Sequence, residues 1–291
     1  MKLLVLGNTG QLGAELLAQA PALRVEATGL GREDLDVTEP GAVDSVLDSI
    51  APDVVINATA YHVLPDCDRF PERAFATNAI AVKAMAEACH GRDVEFVTYS
   101  TDYVFDGLKG SPYFEVDAPN PLQTYGVSKY AGELLARLGH PDTIVIRTCG
   151  LYGGETGSRS KRGNFVLSVL RESESESQLE VSSEQIVNPT YAGDLAAATL
   201  ALLAARPEGG LYHLAAEGRC AWSEFAEAIM ELTGRPMKIL PVDRGSRSGS
   251  MRRPPFSALG NRRARAAGVT LPDWKDGLTR YLERLSVAAR R

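Results

Sequence analysis

Short apolar runs recur through the first half of the chain, at Lys2–Leu6, Val25–Thr28, Val54–Asn57, Val94–Ser100 and Thr143–Arg147. Each is apolar at successive positions and bounded by turn residues, the pattern of a strand covered on both faces. Between them, apolar residues fall at helical spacing over Gln11–Ala20, Pro40–Ser49, Pro71–His90 and Tyr125–Leu138. This alternation predicts an α/β chain whose parallel sheet is wound on both faces through right-handed crossovers.

Beyond Leu151 the rhythm changes. A glycine-rich, charged stretch, Gly153–Gly163, reads as a mobile loop, followed by a short helix near Asn164–Arg171. The serine- and glutamate-rich run Arg171–Glu184 reads as a solvated turn or hairpin edge. Helices are expected near Tyr191–Ala204, Trp222–Leu232 and Lys275–Leu285, and no internal repeat is visible. The expected organisation is a Rossmann-type nucleotide-binding domain over 1–150, to which later segments at about 178–215 return. A smaller substrate-binding region occupies most of 151–291.

A chain of 291 residues with 44% hydrophobic and 23% charged residues can bury a sizeable core. The net charge of −6 argues against nucleic acid as the main partner. Between Lys238 and Arg265, however, eight basic residues face one acid, Asp243, an excess suited to a small polyanion such as a sugar diphosphate. The four cysteines, Cys67, Cys89, Cys149 and Cys220, form no C-x-x-C pair, so neither a zinc site nor a disulfide framework is expected. A reducing cytoplasm fits them best. The opening apolar run is too short for a signal-peptide core, and no stretch approaches the ~20 apolar residues of a membrane span.

Gly7-Asn8-Thr9-Gly10-Gln11-Leu12-Gly13 lies between the first strand and the first helix. A dinucleotide pyrophosphate needs close backbone approach and free helix N–H groups at that place. The second strand runs into Gly31-Arg32-Glu33-Asp34. An acid there would bind the ribose hydroxyls of NAD and an arginine the 2′-phosphate of NADP. Arg32 comes first after the strand and favours NADPH, with NADH as the alternative. Asp36 and Val37 follow at the expected adenine position, and Ala58-Thr59-Ala60-Tyr61 forms a small-residue wall beside the nicotinamide ribose.

Tyr125 and Lys129 stand four apart on a predicted helix and share a face. Reduction of a carbonyl by hydride requires a proton for the developing alkoxide. A tyrosine becomes an effective acid–base group when a neighbouring cation stabilises its phenolate. Ser100-Thr101-Asp102-Tyr103 ends the fourth strand, where such sheets place their sites. A Thr101 hydroxyl there can donate to the reacting oxygen.

With Glu15, Ser100–Gly107, Tyr125–Lys129, Ala131–Glu133 and Ile146–Thr148, these segments resemble the dTDP-4-dehydrorhamnose reductases, extended short-chain dehydrogenases/reductases. Asn188-Pro189-Thr190 and Arg253–Leu259 carry the resemblance along nearly the whole chain. It implies NADPH-dependent reduction of the 4-keto group of a nucleotide-linked deoxysugar, with Thr101, Tyr125 and Lys129 catalytic. Asp102, Tyr103, Gly150 and Arg253 would contact the substrate, and Ser100 the cofactor. Some relatives hold Mg²⁺ between paired subunits through acids. Glu15 matches one of these, Asp194 stands where another glutamate would be, and nothing else supports a metal or a homodimer.

The sequence also departs from that family. Arg147-Thr148-Cys149-Gly150 replaces a motif ending in tryptophan, and His62–Asp68 replaces the usual small and acidic residues. A reshaped sugar pocket is therefore expected, filled by Tyr152, Tyr103 or His62–Leu64. Two other readings use the same residues: an epimerase or dehydratase with tightly held NAD, and a non-catalytic NADP-binding regulatory subunit.

Overall fold

The computed structural model describes residues 1–155, 157–158, 163–243, 247–248 and 251–288. Five strands alternate with helices through its first half: β1 (Lys2–Leu6), β2 (Glu26–Leu30), β3 (Val54–Asn57), β4 (Glu95–Thr101) and β5 (Ile144–Thr148). Further along come β6 (Gln178–Ser182), β7 (Gly210–His213) and β8 (Lys238–Val242). The central sheet has the order β7-β5-β4-β3-β1-β2, and every pairing in it is parallel. The chain leaves β1 on one side to form β2 and returns on the other to form β3. The crevice beyond the C-terminal ends of β1 and β3 is thus the switch point where such sheets bind ligands.

Continuous apolar strands require cover on both faces, and the helices supply it. On one face α1 (Gln11–Gln19) and α8 (Ala192–Ala204) pack Leu12, Leu16 and Leu195 over Leu3, Val5 and Ile56. On the other, α2 (Ala42–Ile50) and α5 (Ala81–His90) bring Leu47, Val82 and Met85 onto Leu4, Leu6 and Val55. Burial on this scale contributes about 1.5–3 kcal/mol per large aliphatic side chain.

The remaining helices complete the frame around the crevice. They are α3 (Leu64–Arg69), α4 (Pro71–Phe75), α6 (Thr124–Gly139), α7 (Phe165–Glu172), α9 (Trp222–Thr233), α10 (Arg262–Ala266) and α11 (Trp274–Ala288). The expected helix Pro71–His90 is interrupted by a π turn at Ala76–Ile80 between α4 and α5. Asn78 on that turn is buried. It donates to the Tyr61 carbonyl at 2.8 Å and to Ser128 at 3.0 Å, and accepts from the Tyr61 N–H at 2.9 Å. One residue thus ties the segment after β3 to α6.

The run Arg171–Glu184 is not simply a solvated turn. Its end forms β6, parallel to β8, because Leu179 and Val181 turn inward onto the core that holds Met230 and Ile239. Tyr152, Tyr191, Phe225 and Tyr281 interlock at the centre of that core. All four cysteines are buried free thiols. Among the described residues no helix is long and apolar enough to cross a membrane.

Candidate active site

A cleft of about 1480 Å³ opens at the switch point. It exceeds the ~300–1,000 Å³ of a pocket for one drug-sized ligand, so two ligands can lie end to end. Gly7, Thr9, Gly10, Gln11 and Leu12 form one wall, followed by Arg32, Asp36 and Val37, and by Ala58, Thr59, Ala60 and Tyr61. Gly7 has φ +88°, and a β-carbon there would meet the Ala58 carbonyl carbon at 3.0 Å. Gly13 lines nothing but makes the turn possible, since a β-carbon on it would come within 2.2 Å of the Gly7 carbonyl oxygen. Both positions fit a dinucleotide whose phosphates approach bare backbone at the start of α1. Arg32 is exposed at the rim, with its guanidinium 3.9 Å from Asp36. Asn57 accepts from the Thr59 N–H at 3.0 Å and from its hydroxyl at 2.6 Å, which fixes the wall after β3.

Across the cleft stand Ser100, Thr101, Asp102 and Tyr103 at the end of β4, with Tyr125 and Lys129 on α6. Gln123 caps α6 by accepting from the Gly126 N–H at 2.6 Å, so Tyr125 lies in its first turn. Burial raises the pKa of the Tyr125 hydroxyl, and the Asp102 carboxyl adds to this, while the facing Thr101 hydroxyl favours the phenolate. Burial lowers Lys129 to about 8, opposed by Glu133 one turn further along. Glu133 is held by Arg147 and by the Ser100 hydroxyl. Ser100 lines the cleft with its hydroxyl engaged by Glu133.

Asp102 is buried. Ser257 donates to its Oδ2 at 2.6 Å, the Thr101 hydroxyl lies 3.1 Å from its Oδ1, and the Cys149 thiol adds a third hydrogen bond. Burial pushes its carboxyl above the usual range and pushes Cys149 up as well. Tyr103 lines the cleft with its ring edge-on to Tyr125, the centroids 6.1 Å apart.

Of the residues expected to fill the space left at Gly150, Tyr152 does not, because its ring is locked in the aromatic core. Gly150 itself has φ +58° and faces the backbone of Asn188 and Pro189, so a side chain there would be strained. Tyr103, His62 and Leu64 line the cleft, and so do Val187, Phe165 and Trp222. The Phe165 and Trp222 rings pack with centroids 4.6 Å apart. The sequence pattern marked Trp222 only as the start of a helix; its place on the wall depends on packing between α7 and α9. Arg253, close enough to act on Tyr103, and Arg171 line the cleft as well. Of the basic run and the Gly153–Gly163 loop, Arg244 and residues 156 and 159–162 lie outside the described residues, as does the Arg247 side chain.

The acids connected with Mg²⁺ do not fit a metal. Arg284 donates to Glu15 at 2.5 Å, and Arg280 grips Asp194 with both contacts at 2.7 Å. Each carboxylate is already neutralised within the chain by α11.

A parallel sheet with a glycine turn at its switch point and a buried tyrosine–lysine pair across the cleft defines an extended short-chain dehydrogenase/reductase. The family model described as "RmlD substrate binding domain" matches residues 1–287. The spore coat polysaccharide biosynthesis protein SpsK of Bacillus subtilis is 36% identical, covering 99% of this chain and 99% of that protein. A dTDP-4-dehydrorhamnose reductase of Sinorhizobium fredii is 33% identical over 97% of each. The crystal structure of a dTDP-4-dehydrorhamnose reductase from Bacillus anthracis, in complex with NADP, superposes with a TM-score of 0.90 at 30% identity. That match covers 97% of this chain and 99% of the other. The chain belongs to the dTDP-4-dehydrorhamnose reductase family and is an NAD(P)H-dependent oxidoreductase.

Proposed function

We propose that this enzyme reduces the 4-keto group of a nucleotide-diphosphate deoxysugar with NADPH, in the manner of dTDP-4-dehydrorhamnose reductases. The observation that carries the reading is the placement of Thr101, Tyr125 and Lys129 together on the inner wall of one long cleft. The glycine turn, Arg32, Asp36, Val37 and the Ala58–Tyr61 wall would hold the cofactor, which supplies the hydride. Tyr125 donates the proton to the carbonyl oxygen as the alkoxide forms, and Lys129 stabilises the phenolate left behind. Thr101 places a hydroxyl beside the same oxygen. Tyr103, Phe165 and Trp222 form the apolar wall for the sugar, and Arg253 faces the diphosphate.

The absence of a tryptophan at Gly150 and the His62–Leu64 segment support a sugar preference different from that of the named relatives. The buried free cysteines support a reducing, cytoplasmic setting. The test is NADPH oxidation against a panel of nucleotide-linked 4-keto sugars. A preferred substrate other than dTDP-4-dehydrorhamnose is expected. A kcat/KM near ~10⁵ M⁻¹s⁻¹ for dTDP-4-dehydrorhamnose would show an unaltered pocket, that value lying in the range of efficient enzymes. Turnover without added NADPH by protein that retains NAD would instead indicate an epimerase.

A further inference from the structure

Among the described residues no cation pairs with the Asp102 carboxyl group. Its hydrogen-bonding neighbours are the hydroxyls of Thr101 and Ser257 and the thiol of Cys149, all uncharged. The titratable and charged groups around it are Tyr103 beside it, Tyr125 and Lys129 on α6, Cys149 after β5, and Arg253 on the segment that also carries Ser257. Neither Lys129 nor Arg253 pairs with it. An ionised carboxylate set this deep in the cleft wall has little water and, among the described residues, no counter-charge, whereas the neutral acid needs neither.

The hydrogen-bond inventory of Thr101 gives that choice a consequence. Its oxygen already accepts from the Tyr103 N–H at 3.2 Å. Its hydroxyl faces Asp102 Oδ1 on one side and the Tyr125 hydroxyl on the other, and it has one proton to give. If Asp102 is a carboxylate it takes that proton, and the Thr101 hydroxyl has none left to give on the Tyr125 side. If Asp102 is neutral, its own proton fills the second lone pair of Thr101. The Thr101 proton is then free to turn toward the Tyr125 hydroxyl and the cleft, where both hydroxyls can donate to one oxygen.

We propose that Asp102, held by Ser257, is a positioning residue that works as a neutral carboxylic acid and aims the Thr101 and Tyr125 protons at the reacting oxygen. The assignment rests on the reduction reading above for its purpose, but not for its measurement. Ser257 lies 155 residues further along the chain and donates to Oδ2, which serves as the carbonyl oxygen of the acid while the proton sits on Oδ1. An asparagine reproduces this pattern, with its amide donating to Thr101 and its oxygen accepting from Ser257. An alanine does not.

Difference infrared spectra of the whole enzyme at neutral pH, wild type against D102N, should contain the carbonyl band of a protonated carboxyl. Carboxylate bands in its place would overturn the proposal. S257A should move the protonated-acid band to higher frequency, because the carbonyl oxygen loses its donor, and an unmoved band would remove Ser257 from the device. In steady-state assays D102A should lower kcat by about 100-fold, and D102N should recover at least about tenfold of that loss, with little change in KM. Equal losses in the two variants would overturn the proposal. If no keto sugar in the panel is reduced, it is the functional reading that fails, and the infrared result still decides the state of Asp102.

Discussion

Arg147 and Glu133 meet as a two-pronged ion pair under the cleft floor, Nε to Oε1 at 2.8 Å and Nη2 to Oε2 at 2.6 Å, with Arg147 only 2% exposed. One comes from β5 and the other from α6, so the pair fixes the helix that carries Tyr125 and Lys129 against the sheet. Removing one partner leaves an uncompensated buried charge. Glu133→Ala should therefore destabilise the fold by about 3–5 kcal/mol. The double variant E133L/R147M should lose markedly less than the two single losses added together. Urea denaturation of the wild type, E133L, R147M and the double variant checks this, and simple additivity would mean the pair is not coupled.

Tyr125→Phe keeps the ring and its edge-on contact with Tyr103 but removes the proposed proton donor. Turnover should fall by roughly 10²-fold or more while NADPH affinity is retained. Single-turnover rates together with cofactor fluorescence titration separate the two, and near-normal turnover would take Tyr125 out of the chemistry.

Arg32 is exposed and only loosely associated with Asp36, so it can turn to a ribose 2′-phosphate at small cost. A charge-assisted contact of that kind is worth ~1.5–3 kcal/mol. Arg32→Ala should thus weaken NADPH by ten- to a hundredfold and leave NADH nearly unchanged. Equal losses for both cofactors would show that the arginine does not read that phosphate.

His213 is fully buried on β7, with Nδ1 3.2 Å from the Tyr113 carbonyl oxygen and the Gly260 backbone also within reach of its ring. Burial, and next the nearby Arg147 charge, lower its pKa to about 3 from an ordinary 6.5. The folded protein thus holds His213 neutral where the unfolded chain would protonate it. The stability from this site is complete above pH 6.5 and is lost progressively as pH falls toward 3, each pH unit costing about 1.4 kcal/mol. The gap in denaturation midpoint between pH 8 and pH 5 should narrow in His213→Asn, which can still donate to Tyr113. An unchanged gap would assign the acid sensitivity elsewhere.

The central strands were legible in the sequence because burial on both faces leaves an unbroken apolar run, as in Leu3–Leu6. The glycine turn and the Tyr125–Lys129 spacing were legible because their chemistry is local. Less visible was β6, where Ser and Glu residues conceal the inward alternation of Leu179 and Val181. The π turn was hidden inside a helix-like pattern whose apolar spacing barely changes. Trp222 reaches the cleft wall, and Ser257 reaches Asp102, through contacts between distant segments that no periodicity encodes. The arginines that pair with Glu15 and Asp194 come from the final helix, 269 and 86 positions away, contacts that no local spacing encodes.

The π turn before α5 acts as a register device. It accommodates one residue more than a regular helix, so deleting a single residue from 76–80 would let the segment relax into a continuous α-helix. The flanking turns would keep their phase, and what would be lost is the outward placement of the turn itself. Asn78 would lose the place from which it reaches both Tyr61 and Ser128, and the Ala58–Tyr61 wall would lose its tether to the helix bearing Tyr125. The width of the reaction cleft is thus set by a count of residues as well as by their identity.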